Sequence, residues 1–365
     1  MHTDVPNFLS KGVETRAGEL AGIGGSFPMH VDILKVLPSI LTVISAEPFG
    51  KSDFSATGRI RTKTASGNPK DYFVKCAVGE EGAMMLNGEC KSLEAIAEVI
   101  KGLVPVVHGS GAFHLHGVQS KIHFMVEDFL NLKDTLPDPR SFASVLVQMH
   151  RQSRSPTGKF GFDVTTCDGP LPHPVEWEQD WAIFFAKLLR TRVDMDAAAC
   201  GPWPELERVA DHVISKVVPR LLRSLSSDGN PIKPTLIHGD LWDTNVGTDG
   251  ETGSPVIFDA GSYYAHNEME TGIWRVIYAQ KLGTKAYRDA YLELYPPAEP
   301  SGEWDDRNRL YSLKCNLNWS ATDPGIRTRN IAFNDMCYLC EKYAPLADIA
   351  KYDPSLDPTI TKIDP

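Results

Sequence analysis

The stretch Ile237-His238-Gly239-Asp240-Leu241-Trp242-Asp243-Thr244-Asn245, followed fourteen residues on by the end of Val256-Ile257-Phe258-Asp259, decides how the rest of the chain is read. Thr235–Ile237 and Pro255–Phe258 are short apolar pieces that fit strands. Each delivers an acidic group onto the loop or the end that follows it. Asn245 and Asp259 then offer hard oxygen donors on neighbouring strand ends. That donor set suits magnesium, which keeps several waters and takes few protein carboxylates. Asp240 is left to face a hydroxyl nucleophile. This is the layout of a phosphoryl-transfer catalytic loop followed by a metal-binding aspartate. Taken singly, Asp240 and Asn245 would pass for turn and capping residues. The spaced trio, downstream of a β-rich segment, would not.

Upstream, the pattern is strand, strand, strand, helix, strand, strand. Ile40–Ala46, Ser55–Lys63 and Asp71–Val78 alternate or are β-branched. Met84–Ile100 has apolar residues near helical spacing and no internal proline. Val106–His116 and Ile122–Leu130 are the last two strands. Lys75 stands inside the third strand, where a lysine faces either solvent or an anion. The helix after it carries Glu89 and Glu94. A phosphate-binding strand lysine needs a helix glutamate to hold it, and Glu89 is the better placed. Gly50 and Ser52 lie in the turn between the first two strands, where backbone N–H groups could meet phosphate oxygens. The strand ending Val126-Glu127-Asp128-Phe129 fits a hinge whose backbone at Glu127 and Phe129 pairs with a base edge. A boundary near Glu127–Asn131 divides the chain into a nucleotide-binding unit, 1–127, and a unit carrying the catalytic loop, metal and acceptor sites, 128–365.

Beyond the boundary the chain is helix-rich: Ser141–Arg151, Val175–Arg192, Trp203–Leu225 and several segments between Asn267 and Tyr343. Gly158–Pro174 reads as loop, and the proline-bearing tail Asp353–Pro365 as extended. Hydrophobic residues make up 42% of the 365 and charged residues 23%, ordinary for a packed protein. The formal charge of −10 argues against an extended nucleic-acid footprint. No apolar run approaches the ~18 residues of a membrane span, and no signal pattern opens the chain, so the expected compartment is the cytoplasm. Seven scattered cysteines, an odd number, argue against a disulfide scaffold. Cys337-x-x-Cys340 lies in a helical stretch with no second pair, and is read as packing. Oligomeric state is not legible.

These pieces together resemble the fructosamine/ketosamine 3-kinase family, a branch of the aminoglycoside-phosphotransferase-like kinases. The match rests on His238-Gly239-Asp240-Leu241-Trp242 with Asn245-Val246-Gly247, on Pro255–Asp259, and on Ser262-Tyr263-Tyr264-Ala265-His266-Asn267-Glu268. Lys159–Phe162, Thr165–Cys167, Trp177, Asp180-Trp181, Phe73–Lys75 and Gly88-Glu89 extend it. The resemblance implies an α+β, protein-kinase-like fold of two lobes: a small N-lobe, an antiparallel sheet plus helix, and a larger helical C-lobe. It implies transfer of the ATP γ-phosphate to the third-carbon hydroxyl of a ketosamine, free or on a protein lysine, in protein deglycation. By position, Asp240 is catalytic, Asn245 and Asp259 hold Mg2+, and Lys75 with Glu89 anchors the phosphates. Trp242, His266 and Glu268 fall on the acceptor side. The sequence departs from the family in Glu47–Ser55, which is not glycine-rich, and in Asp259-Ala260-Gly261, where Asp-Pro-Ala is more usual. The runner-up is another small-molecule kinase on the same scaffold, for aminoglycosides, choline or homoserine. A nucleotide-binding homologue without turnover is the third reading.

Overall fold

The computed structural model describes residues 25–114, 119–227 and 229–361. Its first sheet has five strands: β1 (Thr42–Pro48), β2 (Ala56–Lys63), β3 (Pro69–Val78), β4 (Val107–Phe113) and β5 (Ile122–Asp128), in the order β1-β2-β3-β5-β4. All neighbours pair antiparallel. Side chains alternate across a strand, so Tyr72, Val74 and Cys76 of β3 turn to one face while Phe73 and Lys75 turn to the other. The first face is closed by Phe27, Met29 and the helix α1 (Val31–Val36), and buries Ile60, Phe124 and Val126. The second face opens on a cleft. Register places Lys75 beside Met125, and Phe73 beside Glu127.

Helix α2 (Gly79–Val99) follows β3 directly and begins at Gly79 rather than at the expected Met84. Gly79 makes the turn out of β3 with φ +75°, whereas Gly82 permits close approach. A Cβ on Gly82 would lie 2.7 Å from the Ala77 Cβ and 2.8 Å from its carbonyl carbon. Leu93 and Ile96 of α2 join a larger core shared with Met125 and the helices of the remaining chain.

Those helices are α3 (Pro139–Gln152), α4 (Trp181–Cys200), α5 (Pro204–His212), α6 (Val218–Leu222), α7 (Lys285–Leu294), α8 (Trp304–Thr322) and α9 (Thr328–Tyr343). Helix α4 starts later than the expected Val175 because Asp180 caps it, accepting the Ile183 N–H at 3.0 Å. The residues before the cap pair with the expected loop instead: Phe162 donates to the Val175 carbonyl at 2.9 Å and Phe160 bridges Glu178. The single helix expected over Trp203–Leu225 is α5 and α6 joined by a π-helical turn, Val213–Val217. Pro219 lacks an N–H and its ring crowds an ordinary turn, which accounts for the wider one before it. The tail is docked rather than extended, with turns at Pro354–Leu356 and Pro358–Thr361 and Asp357 bonded to Arg309 at 2.5 Å. Cys337 and Cys340 are buried in α9 as packing residues, and all seven cysteines are free thiols.

Small strands complete the fold. β6 (Leu132–Lys133) edges β12 (Val246–Asp249), while β7 (Cys167–Asp168) with β8 (Leu171–Pro172) and β9 (Ser226–Ser227) with β10 (Asn230–Pro231) form hairpins. The two strands of the decisive stretch do not pair with each other. β11 (Thr235–Ile237) pairs with β14 (Tyr263–Ala265), and β13 (Pro255–Ile257) pairs with β12. Residues 1–24, the far end of the strand expected over Val106–His116, and the last four residues of the tail lie outside the described residues. Among the described residues no helix is long and apolar enough to cross a membrane.

Candidate active site

The loop after β11 is fixed from beneath. Glu270 accepts the N–H groups of His238 (2.6 Å) and Gly239 (3.1 Å). His238 Nε2 lies 2.9 Å from the Phe258 carbonyl, which ties this loop to the one after β13. Gly239 has φ +88°, and a Cβ there would lie 2.3 Å from the Gly261 carbonyl oxygen, so only glycine fits. Asn245 Nδ2 donates to the Asp240 carbonyl at 2.8 Å and to Asp240 Oδ2 at 3.0 Å, which orients that carboxylate. Asp259 adopts φ 60°, a left-handed conformation costly for a residue with a Cβ.

Lys75 crosses the cleft to this loop pair. Its buried ammonium sits 2.5 Å from Glu89 and bonds directly to Asp259. Burial would lower its pKa, but Asp259, Glu89 and Glu127 outweigh burial and hold it charged. Glu89 is the glutamate that faces it; Glu94 pairs with Lys91 on the exposed side of α2. Burial pushes Glu89 up to about 7 against the pull of Lys75. Burial, and then repulsion from Asp168, push Asp240 up to about 7 as well.

Among the described residues no group of three or more His, Cys, Asp or Glu is placed to hold a metal. One carboxylate, Asp259, and one carboxamide, Asn245, line the same cavities. That pair fits magnesium bound chiefly through nucleotide phosphates and water, and is too sparse for a cation held by protein alone.

Two cavities meet at Lys75, Asn245 and Asp259. One, of about 270 Å³, lies under the β1–β2 turn and is walled by Phe49, Gly50, Phe73, Glu127, Phe129 and Leu130. The other, of about 320 Å³, adjoins Asp240 and is walled by Met85, Asp168, Trp242, Tyr278, Asn318 and Trp319. Lys51 and Ser52 reach both. Trp242 stands edge-on to Tyr278 and Trp319, with ring centroids 5.2 and 5.6 Å away, and is only half-buried.

Two expectations are revised. His266 does not reach the cleft: it is buried, its Nδ1 is 2.9 Å from the Tyr311 hydroxyl, and burial lowers its pKa to about 4. Glu268 does not either; both its oxygens are taken by Arg307, at 2.7 and 2.9 Å, in the core. Glu127 and Phe129 line the first cavity, as expected. Glu127 is in register with Phe73 and Val107 on its two sides, and the Phe129 N–H faces the Asp71 carbonyl at 3.4 Å. Gly50 and Ser52 also line that cavity, where the Ser52 hydroxyl shapes the turn, accepting from the Ser55 N–H at 3.1 Å and from the Ser55 hydroxyl at 2.9 Å. The reading from sequence also missed residues. Asp168 bonds to the buried Lys314, which donates to the Gly239 carbonyl at 3.2 Å under the catalytic loop. Asp168 Oδ1, Asn318 Oδ1 and Trp319 Nε1 are buried without a hydrogen-bonding partner among the described residues. A buried polar atom without a partner is costly, and all three residues line the second cavity.

A five-stranded sheet over a helical unit, with a lysine–glutamate pair and an Asp/Asn/Asp set at the junction, defines a protein-kinase-like phosphotransferase. The fructosamine kinase family profile matches residues 46–323, and the chain belongs to that family. It is 29% identical over 258 residues to the chloroplastic protein-ribulosamine 3-kinase of Oryza sativa subsp. indica, an alignment covering 70% of this chain and 68% of the rice enzyme. It is 34% identical over 173 residues to the Mus musculus ketosamine-3-kinase, covering 46% of this chain and 50% of the mouse protein. In structure it is similar to a Thermobifida fusca protein assigned as a fructosamine-3-kinase, with a TM-score of 0.62, 23% identity, and coverage of 82% and 94% of the two chains. An aminoglycoside phosphotransferase crystallised with AMP-PNP and hygromycin B superposes with a TM-score of 0.54 at 15% identity, over 82% and 94% of the chains, and shares the fold.

Proposed function

We propose that this protein is an ATP-dependent ketosamine 3-kinase, phosphorylating the third-carbon hydroxyl of a sugar adduct on an amine. The observation that carries the reading is the cleft itself. Lys75 and Glu89, from the sheet unit, meet Asp240, Asn245 and Asp259, from the helical unit, between a phenylalanine-lined slot and an aromatic-walled polar cavity. The family membership and the ribulosamine and ketosamine kinases among the relatives support the acceptor class. The lobes are proposed to divide at residues 127/128.

In this reading the nucleotide base enters the slot beside Phe49, Phe73 and Phe129. Lys75, held by Glu89, offsets charge on the phosphates. Asn245 and Asp259 would hold magnesium, which when bound supplies further neutralisation of the transferring group. The sugar lies against Trp242, with Asn318, Trp319 and Asp168 offering hydrogen bonds to its hydroxyls. Asp240, oriented by Asn245 Nδ2, aligns the acceptor hydroxyl and takes its proton. The free thiols suit a reducing compartment such as the cytoplasm.

The test is ADP release with Mg-ATP and a ribulosamine or fructosamine acceptor, set beside choline and kanamycin. Turnover restricted to the ketosamines is the expected result. Turnover on choline or kanamycin alone would assign a different kinase. Binding of Mg-ATP, seen as a raised melting temperature, with no ADP from any acceptor would assign a regulator.

A further inference from the structure

Glu127 is a buried carboxylate beside the aromatic residues of the first cavity, and the reaction as described does not use it. On β5 it is in register with Phe73, as Met125 is with Lys75. Residues two apart on a strand share a face and stand about 7 Å from each other. Glu127 therefore lies on the same face as Lys75, one step along from the phosphate end of the site. Phe49, Phe73, Phe129 and Leu130 line the cavity with it, the surroundings a flat heterocycle needs. Glu127 is 4% exposed, and its Oε2 is buried with no hydrogen-bonding partner among the described residues. Lys75 is bonded to Glu89 and Asp259 instead. An unpartnered buried oxygen is destabilising until a donor arrives, and here the donor must come with the ligand.

We propose that Glu127 reads the base of the bound nucleotide, accepting a hydrogen bond from the exocyclic 6-amino group of adenine. The inference rests on the reading of this cavity as the ATP site. It adds a contact from a strand side chain to a base that the hinge backbone alone was expected to hold. In either protonation state the carboxyl retains an oxygen acceptor, so the contact does not depend on its charge.

The test is a cycle of two deletions, read as magnesium-nucleotide dissociation constants by calorimetry without acceptor. One deletion is in the ligand: purine riboside triphosphate lacks the amino group of ATP. The other is Glu127→Met, which preserves length and removes the oxygens. The wild type should bind ATP about tenfold or more tightly than the deaminated analogue, the range expected for one buried hydrogen bond to such a group. In E127M that ratio should fall to near one, whereas Glu127→Gln, which keeps one acceptor oxygen, should retain a preference for ATP. An unchanged ratio in E127M overturns the proposal. So does an equal loss of both nucleotides, which would show Glu127 acting through Lys75. Should E127M fail to fold, equal affinity of the wild type for the two nucleotides overturns it on its own. Wild type that binds neither nucleotide would instead sink the ATP-site reading beneath it.

Discussion

Glu268→Ala separates a structural role from an acceptor role for the Ser262–Glu268 run. In the structure, Arg307 Nε and a terminal guanidinium nitrogen donate to the two Glu268 oxygens at 2.7 and 2.9 Å. The Ala298 N–H donates to the same carboxylate at 2.8 Å. Arg307 also donates to the Ala298 and Pro300 carbonyls, each at 2.8 Å, so the pair clamps that loop onto α8. Both side chains are essentially inaccessible, at 0% and 2%. Removing one partner leaves a guanidinium buried without its counter-charge, which costs about 3–5 kcal/mol. With an unfolding entropy of about 2.1 cal/mol/K per residue, a chain of this length gives roughly 0.8 kcal/mol/K, so the melting temperature should fall by roughly 4–6 °C. Acceptor KM for the folded enzyme should stay within a factor of about two. Glu268→Met with Arg307→Met should recover only part of the loss, because the Ala298 and Pro300 backbone groups remain without partners. Circular dichroism melts and acceptor titrations on the same preparations measure both quantities. A variant melting with the wild type while its acceptor KM rises tenfold would refute the structural role and return Glu268 to the substrate.

Asp240→Ala should lower kcat by about 10²–10⁴ with ATP KM little changed; wild-type turnover would remove Asp240 from the reaction. Trp242→Ala should raise acceptor KM by roughly 3–10-fold, in keeping with an aromatic contact of about 0.5–1.5 kcal/mol, and leave ATP KM unchanged. A loss of stability of about 3–5 kcal/mol instead, with unaltered KM, would make that indole a core residue. Acid stability should run through Asp168: burial would raise its pKa, but Lys314 and then His173 outweigh burial and hold it well below the usual carboxylate range. Its folded pKa being the lower, the unfolded chain binds more protons as pH falls below about 4–5, and the contribution is lost there. Asp168→Asn should therefore be less stable at pH 7, where Lys314 loses its partner, yet show a flatter decline in melting temperature between pH 5 and 3 (roughly one unit either side of a free carboxylate). A decline parallel to the wild type would count against the linkage.

The sequence is legible where chemistry demands particular atoms at particular spacings, and less so where tertiary packing chooses the neighbours. Asp240, Asn245 and Asp259 stand out because a loop can present them only from strand ends, and the structure brings them together with Lys75 and Glu89. The sheet is readable as well, from its alternating and β-branched runs, although the central strands β3 and β5 are buried on both faces. Helix α8 is the opposite case. From Asp306 to Leu317 it is buried on every side, polar residues included, so no amphipathic stripe marks the one end that reaches the cleft. Asn318 and Trp319 at that end therefore look like any helix residues until the fold sets them opposite Trp242. Asp168 is hidden likewise, in a two-residue strand within a glycine- and proline-rich stretch that reads as loop. His266 and Glu268 fail in the other direction. A run of polar residues in sequence has the same appearance whether its groups wait for a substrate or for each other, and what decides is the partner that folding delivers. Here Tyr311 and Arg307, both from α8, arrive from more than thirty residues downstream and engage His266 Nδ1 and the Glu268 carboxylate within the core, away from the cleft. The same helix thus holds one set of polar groups in the core and brings another to the second cavity, so the acceptor pocket proposed above draws on the Asn318–Trp319 end of α8 rather than on the run that identifies the family.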